Sequence, residues 1–355
     1  MSRVVAVCPV LPEHRYPQEV ITEAFAEMCL PPGARQQLLR RLHTSARVGA
    51  RHLALPLEEY ARAADFGAFN DAFIEVGVEL GARAVLGALR DAGLRPEDVD
   101  TVVSTTVTGF AIPSIEARIA QLIGLRPDVR RVPLMGLGCL GGAAGISRTH
   151  DLLLGRPHDV AVLLSVELCS LTFQKDDTST ANLVGSGLFG DGAAAVVMVG
   201  ERRAAAMGLD AAPRVVGTRS RFYPDTDRVM GWDIGGSGFR LVLAATVADV
   251  VQKYLGNDVD GFLADHGLAT ADVDTWVAHP GGPKVIAAIV DALGLEPEAL
   301  DVTRRSLAEI GNLSSSSVLH VLERTLAEGL PTPGTPGVLM AMGPGFCAEL
   351  VLLRW

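Results

Sequence analysis

The sequence predicts an α/β fold assembled from two similar halves, and three observations carry that expectation. Hydrophobic residues make up 48 % of 355 residues and aromatic ones only 5 %, so an ample interior has to be built mostly from Ala, Val and Leu. The stretch Gly93-Leu94-Arg95-Pro96-Glu97-Asp98-Val99-Asp100-Thr101-Val102-Val103 is echoed half a chain later by Gly267-Leu268-Ala269-Thr270-Ala271-Asp272-Val273-Asp274-Thr275-Trp276-Val277. Each copy follows a helical segment, about 71 to 92 and about 240 to 265, and leads into an apolar strand. The ends echo as well: Phe189-Gly190-Asp191-Gly192 feeds an apolar run from Ala193 to Val199, and Gly343-Pro344-Gly345-Phe346 feeds one from Ala348 to Leu353. Glu201-Arg202-Arg203 and Pro213 mark a change of pattern between them, which places an N-terminal half at 1–205 and a C-terminal half at 206–355.

Along the chain, Met1 to Val7 reads as a strand without the charge and cleavage pattern of a signal peptide, and no apolar run reaches the length of a membrane span. A cytoplasmic protein with no stable membrane association is expected. The five cysteines (8, 29, 139, 169, 347) are odd in number, dispersed and free of any CxxC pair, which indicates neither a disulfide framework nor a metal site. A net charge of −10 argues against nucleic-acid binding. One segment breaks the trend: Arg35, Arg40, Arg41, Arg47 and Arg51, with His43 and His52, lie together without an acidic residue. Guanidinium groups match phosphate oxygens, so a phosphorylated ligand such as coenzyme A suits this segment, and a solvated cationic helix face fits the same residues.

Val129 to Met135 reads as a strand, and Leu137-Gly138-Cys139-Leu140-Gly141-Gly142 then places one thiol among small residues just before a helix that begins near Gly141. A thiol there sees the positive end of the helix dipole, which favours thiolate. Trp276-Val277-Ala278-His279-Pro280-Gly281-Gly282 puts His279 at the C-terminal end of a strand that Pro and Gly prevent from continuing. Gly311-Asn312-Leu313-Ser314 puts Asn312 just before a helix through Val318, Leu319 and Leu322, where an N-cap role suits it equally. Taken together, Cys139, His279 and Asn312 form a set in which a nucleophilic thiol has a base and a donor.

These pieces, in this order, resemble the type III polyketide synthases of the chalcone and stilbene synthase family: Gly138-Cys139, Leu188-Phe189-Gly190-Asp191-Gly192-Ala193-Ala194-Ala195, His279-Pro280-Gly281-Gly282, Gly311-Asn312-Leu313-Ser314-Ser315 and Gly343-Pro344-Gly345. The resemblance implies a thiolase-like α/β fold of two duplicated αβαβα halves around a five-layer core. It implies a Cys139, His279 and Asn312 triad, no cofactor, coenzyme A thioesters as substrates, and a homodimer with the segment around Ile112 near the partner. It further implies Phe189 and Phe239 as the two gating phenylalanines, Arg41 and Arg51 as coenzyme A contacts, and Thr108, Ile112, Cys169, Thr172, Met230 and Ser314 around the substrate.

Several positions depart from the family pattern. Ser45 stands where a Lys is expected in the basic segment, and Val107 stands where tetrahydroxynaphthalene-forming members carry a cysteine. Thr108 and Cys169 look similar to the tunnel positions of synthases that accept long fatty acyl starters. The expectation is therefore a fatty acyl starter loaded on Cys139, extended with malonyl-CoA and cyclised to a pyrone or resorcinol. Its alternatives are a malonyl-CoA-only synthase of the tetrahydroxynaphthalene type and a beta-ketoacyl-ACP synthase III. The local pattern of a papain-type hydrolase is absent around Cys139, and an intact triad argues against a non-catalytic acyl-CoA-binding protein.

Overall fold

A computed structural model describes residues 1–62 and 65–355. Its strands, in chain order, are β1 (Ser2–Val10), β2 (His14–Pro17), β3 (Ala50–Leu53), β4 (Thr101–Thr106), β5 (Arg130–Met135), β6 (Val160–Leu168), β7 (Asp191–Gly200), β8 (Arg214–Phe222), β9 (Met230–Gly235), β10 (Gly238–Leu243), β11 (Thr275–Ala278), β12 (Pro336–Gly343) and β13 (Cys347–Arg354). Nine of them join one mixed sheet in the order β11-β12-β13-β8-β1-β7-β6-β4-β5, while β2 with β3 and β9 with β10 form two-stranded ribbons.

Strand periodicity sorts the apolar residues into layers. In β7, Ala193, Ala195, Val197 and Val199 face an outer core against the helix Phe66–Asp91, whereas Ala194, Val196 and Met198 face a central one. The C-terminal strands divide likewise: Val338, Met340 and Met342 of β12 pack outward toward the helices Val247–Ala264 and Pro283–Leu293, and Leu339 and Ala341 pack inward. Side chains buried on both faces explain why these strands read as unbroken apolar runs. The helices Gly141–Leu154 and Ser317–Ala327 fill the middle, which gives the layer order helix, sheet, helix, sheet, helix.

Close approach in the middle layer depends on small residues. A Cβ on Gly142 would lie 2.2 Å from the Ser315 carbonyl oxygen, and one on Gly145 would lie 2.4 Å from Leu163 Cδ1. The low aromatic content serves the same end, since a thin layer of Ala and Gly lets the two sheet halves close on the central helices.

The two echoed stretches fold alike. Gly93 (φ +67°) and Gly267 (φ +69°) each end a helix, and each is followed by a short 3-10 turn, Pro96–Asp98 or Thr270–Asp272. In each turn an aspartate accepts from the backbone N–H three residues earlier, Asp98 from Arg95 at 2.9 Å and Asp272 from Ala269 at 2.8 Å. The expected helix at 71 to 92 begins earlier, at Phe66, because Asp65 caps it by accepting from the Ala68 N–H at 3.0 Å. The expected helix at 240 to 265 begins later, at Val247, because Gly238–Leu243 pairs with β9 as a strand.

Candidate active site

Cys139 sits in the 3-10 turn Gly138–Leu140 that links β5 to the central helix Gly141–Leu154. The turn requires glycine at 138: its φ is +53°, and a Cβ there would lie 2.6 Å from Pro344 Cδ. His279 follows β11 directly, fixed by its backbone N–H donating to the Met340 carbonyl at 2.9 Å, and neither buried ring nitrogen has a hydrogen-bond partner. Asn312 is held by a short backbone ladder, donating to the Leu188 carbonyl and accepting from the Gly190 N–H, both at 2.9 Å. Its side-chain oxygen accepts from the Ser314 N–H at 2.8 Å, and Ser316, not Asn312, occupies the N-cap of the following helix.

The three side chains line one cavity of about 470 Å³, together with Phe189, Met230 and Leu243. A second space of about 360 Å³ shares Cys139, Phe189 and Met230 with it and adds Val107, Cys169, Trp232, Leu241 and Ser314. A third, of about 680 Å³ with its open mouth, shares Cys169, Phe189, Trp232 and Leu241 with the second. Phe189 therefore borders all three.

Burial dominates the electrostatics. It pushes the Cys139 thiol up to about 12, against the pull of hydrogen bonds from Ser314 and Asn312, and Glu167 adds to the rise. Burial alone takes His279 down to about 3. Burial thus favours the neutral thiol and the neutral imidazole, and works against the helix-end dipole that favours thiolate. Glu167, at the end of β6, is also fully buried, and burial raises its carboxyl to about 7. It accepts from the Val107 N–H at 3.1 Å, the Thr108 hydroxyl at 2.9 Å and the Ser315 hydroxyl.

Of the expected substrate-side residues, the structure places Phe189, Cys169, Thr172, Met230 and Ser314 on these cavities and Thr108, Ile112 and Phe239 away from them. Cys169 stands at the junction of the second and third cavities, Met230 and Ser314 border the catalytic space, and Thr172 lines the third, its hydroxyl donating to the Cys169 carbonyl at 2.7 Å. Thr108 does not face these cavities, because its hydroxyl is committed to Glu167 and to the Leu168 N–H. Ile112 is 96 % exposed in the loop after β4, beside a surface groove along β5. Phe239 is buried in an aromatic cluster with Phe66, Phe110 and Trp232, at ring-centroid distances of 5.5, 5.3 and 5.8 Å. Two residues on along the same face of β10, Leu241 lines the second and third cavities beside Phe189. Arg51 is 3 % exposed and cannot meet a phosphate at the surface, whereas Arg41 is exposed on the helix Ala34–Ser45.

Trp232, Leu241 and Glu167 are the site residues that sequence reasoning passed over. Glu167 had a signal, an acidic residue closing the otherwise apolar run Val160–Leu168. Trp232 and Leu241 had none, since the register of the β9–β10 ribbon decides which of its side chains reach the cavity.

The N-terminal domain model of chalcone and stilbene synthases matches residues 1–202, and the C-terminal domain model matches residues 214–355. The chain belongs to the chalcone and stilbene synthase family. It is 58 % identical over 357 residues to a 1,3,6,8-tetrahydroxynaphthalene synthase of Streptomyces peucetius subsp. caesius, covering 100 % of this chain and 93 % of that one. It is 34 % identical to a putative chalcone synthase of Bacillus subtilis (strain 168), over 100 % of this chain and 99 % of the relative. Among solved structures, the 1,3,6,8-tetrahydroxynaphthalene synthase of Streptomyces coelicolor A3(2), a bacterial type III polyketide synthase, matches with a TM-score of 0.93 at 29 % identity over 99 % of each chain. This chalcone synthase-like chain is thus a type III polyketide synthase on the thiolase-like α/β fold, an acyltransferase that works on coenzyme A thioesters without a cofactor. Among the described residues no helix is long and apolar enough to cross a membrane.

Proposed function

We propose that this polyketide synthase uses malonyl-CoA both to prime and to extend, as in tetrahydroxynaphthalene formation, in place of the fatty acyl starter expected from the sequence. The observation that carries this reading is the 58 % identity, across the whole chain, to a tetrahydroxynaphthalene synthase. Trp232 and Leu241 stand beside Phe189 around the space next to Cys139, which adjoins the larger cavity beyond Cys169 into which a chain can grow. Val107, where a cysteine was expected for this product class, borders that space as an apolar wall and does not remove the triad.

In this reading Cys139 is the nucleophile. As a thioester enters, neutral His279 takes the thiol proton, the sulfur attacks the carbonyl carbon, and coenzyme A departs as its thiol. His279 and Asn312 then direct hydrogen bonds to the enolate oxygen formed when a second malonyl-CoA loses CO2. The carbanion attacks the Cys139 thioester carbonyl, and the new carbon–carbon bond forms as the carbon–sulfur bond breaks. The Cys139 thiolate leaves, and the lengthened chain, now on coenzyme A, returns to Cys139 for the next round. Apolar walls favour decarboxylation by keeping water from the departing carboxylate. Arg41 supplies a cationic contact for the coenzyme A phosphates, and Arg51 is withdrawn from that role. The domain division at 1–205 and 206–355 and the homodimer belong to the same reading, the latter supported by an apolar Ile112 left 96 % exposed beside the edge strand β5.

The test is product analysis with malonyl-CoA alone and with malonyl-CoA plus lauroyl-CoA. An aromatic product from malonyl-CoA alone, undiminished by lauroyl-CoA, is expected. Turnover only when lauroyl-CoA is present would restore the fatty acyl starter.

A further inference from the structure

Three titratable side chains among the described residues carry a buried nitrogen with no hydrogen-bond partner: Arg51, Arg203 and His279. Two of these line a cavity described above. One is His279, in the catalytic space; the other is Arg51, in the 680 Å³ cavity beyond Cys169. Arg51 Nε donates to Gln18 Oε1 at 2.9 Å and Nη1 to the Phe189 carbonyl at 2.6 Å, which leaves Nη2 unspent. The nearby Asp191 carboxylate offsets the guanidinium charge but makes no hydrogen bond to Nη2; it accepts from the Ala54 N–H at 2.6 Å, the Ser170 N–H at 2.8 Å and the Ser170 hydroxyl. Burial lowers the guanidinium only to about 10, so it remains a cation at neutral pH.

Most other polar side chains around this cavity are committed, the Trp232 indole N–H and the Cys169 thiol apart. Asn182 donates to the Gln174 and Asp177 carbonyls, Ser186 bonds to the Leu183 carbonyl and His43, and Tyr60 pairs with Ser170. The remaining wall is apolar, with Ile21, Phe25 and Met28 from the helix Gln18–Cys29. A long cavity with an apolar body and one unspent buried cation suits a chain that is itself apolar or keto-substituted and ends in an anionic oxygen.

We propose that this cavity is a subsite for the far end of the Cys139-bound acyl chain and that Arg51 selects a chain ending in a carboxylate. The inference rests on the malonyl-primed reading. Priming moves a malonyl group from coenzyme A to the Cys139 sulfur, releases coenzyme A as its thiol and leaves the distal carboxylate untouched. Each extender alone loses CO2, so the starter carboxylate rides at the far end as the chain grows past Cys169 and Phe189 toward Arg51. A fatty acyl chain of the same length would bring a methyl group to the guanidinium and leave it unpaired.

The test compares two eight-carbon probes, suberoyl-CoA, which ends in a carboxylate, and octanoyl-CoA, which ends in a methyl, by the rate at which each acylates Cys139 in the intact protein, read by mass spectrometry. Wild type should favour suberoyl-CoA by about tenfold or more, the size of one charge-assisted hydrogen bond. Arg51→Gln should level the two rates, and Arg51→Lys should keep part of the preference. Ala24→Trp, which fills the cavity without touching the Arg51 bonds, should also level them. Equal rates in wild type, faster octanoyl transfer, or a preference that survives both Arg51→Gln and Ala24→Trp would overturn the subsite. Product formation from malonyl-CoA alone with no suberoyl preference would sink the subsite and leave the proposed function standing. A suberoyl preference without turnover of malonyl-CoA alone would do the reverse.

Discussion

The turns that carry Cys139, His279 and Asn312 and the β9–β10 ribbon that walls their cavity are held by different means. Each turn is fixed through its own backbone: a left-handed Gly138 against Pro344, a His279 N–H on Met340, and an Asn312 ladder to Leu188 and Gly190. The ribbon belongs to no larger sheet, and its side chains are placed by pairing register and by an aromatic cluster around Phe239. The proposed triad is thus anchored to the core, while part of the wall of its cavity comes from an element outside the main sheet.

The largest expected effect falls on the anchored side. Cys139→Ala should abolish product from malonyl-CoA while the circular dichroism spectrum and melting temperature stay close to wild type. Residual product at a tenth of the wild-type rate or more would show that another group carries the acyl chain. Next comes the division of labour between the partners. Asn312→Ala should slow malonyl-CoA decarboxylation by about a hundredfold, as for loss of one oxyanion donor, and leave iodoacetamide alkylation of Cys139 nearly unchanged. His279→Ala should slow both; equal effects on alkylation would contradict the separation.

The ribbon offers a paired contrast of smaller size. Phe239→Leu should lower stability by about 1 kcal/mol, because it opens space in the aromatic cluster, and should leave the product spectrum intact. Leu241→Phe should do the opposite, altering chain length or cyclisation with little change in melting temperature. If Phe239→Leu shifts products and Leu241→Phe does not, the register that places Leu241 beside Phe189 is wrong. The smallest effect is one of pH. A thiol held at about 12 beside a neutral His279 gives an alkylation rate that climbs steadily from pH 6 to 9, because the reactive thiolate fraction grows with every unit below that value. A flat profile over that range would mean a thiolate already formed at rest.

The same contrast explains what was legible in the sequence. Gly138, Gly142 and the Pro280-Gly281-Gly282 run are required by backbone geometry and close packing, so the turns that hold Cys139 and His279 announce themselves in residue type. The echo of Gly93 to Val103 in Gly267 to Val277 was readable for the same reason, since an aspartate-capped turn needs its residues in order. Phe239 was misplaced because a ring at a ribbon position fits a cavity wall and an aromatic cluster equally well until register is known. Arg51 was misplaced because a guanidinium in a basic segment looks the same whether it meets solvent or, as here, Gln18 and the Phe189 carbonyl. Ile112 and Thr108 failed at the same level, one turned to the surface and the other tied to Glu167.

The central claim, that malonyl-CoA primes this enzyme at Cys139, is tested most directly by rapid quenching of the wild-type protein with malonyl-CoA as the sole thioester, followed by peptide mass mapping. Malonate-derived acyl groups are expected on the peptide that contains Cys139 and on neither of those containing Cys169 or Cys8. Acylation of either of those thiols, or an unmodified Cys139 until a second acyl-CoA is supplied, would contradict it.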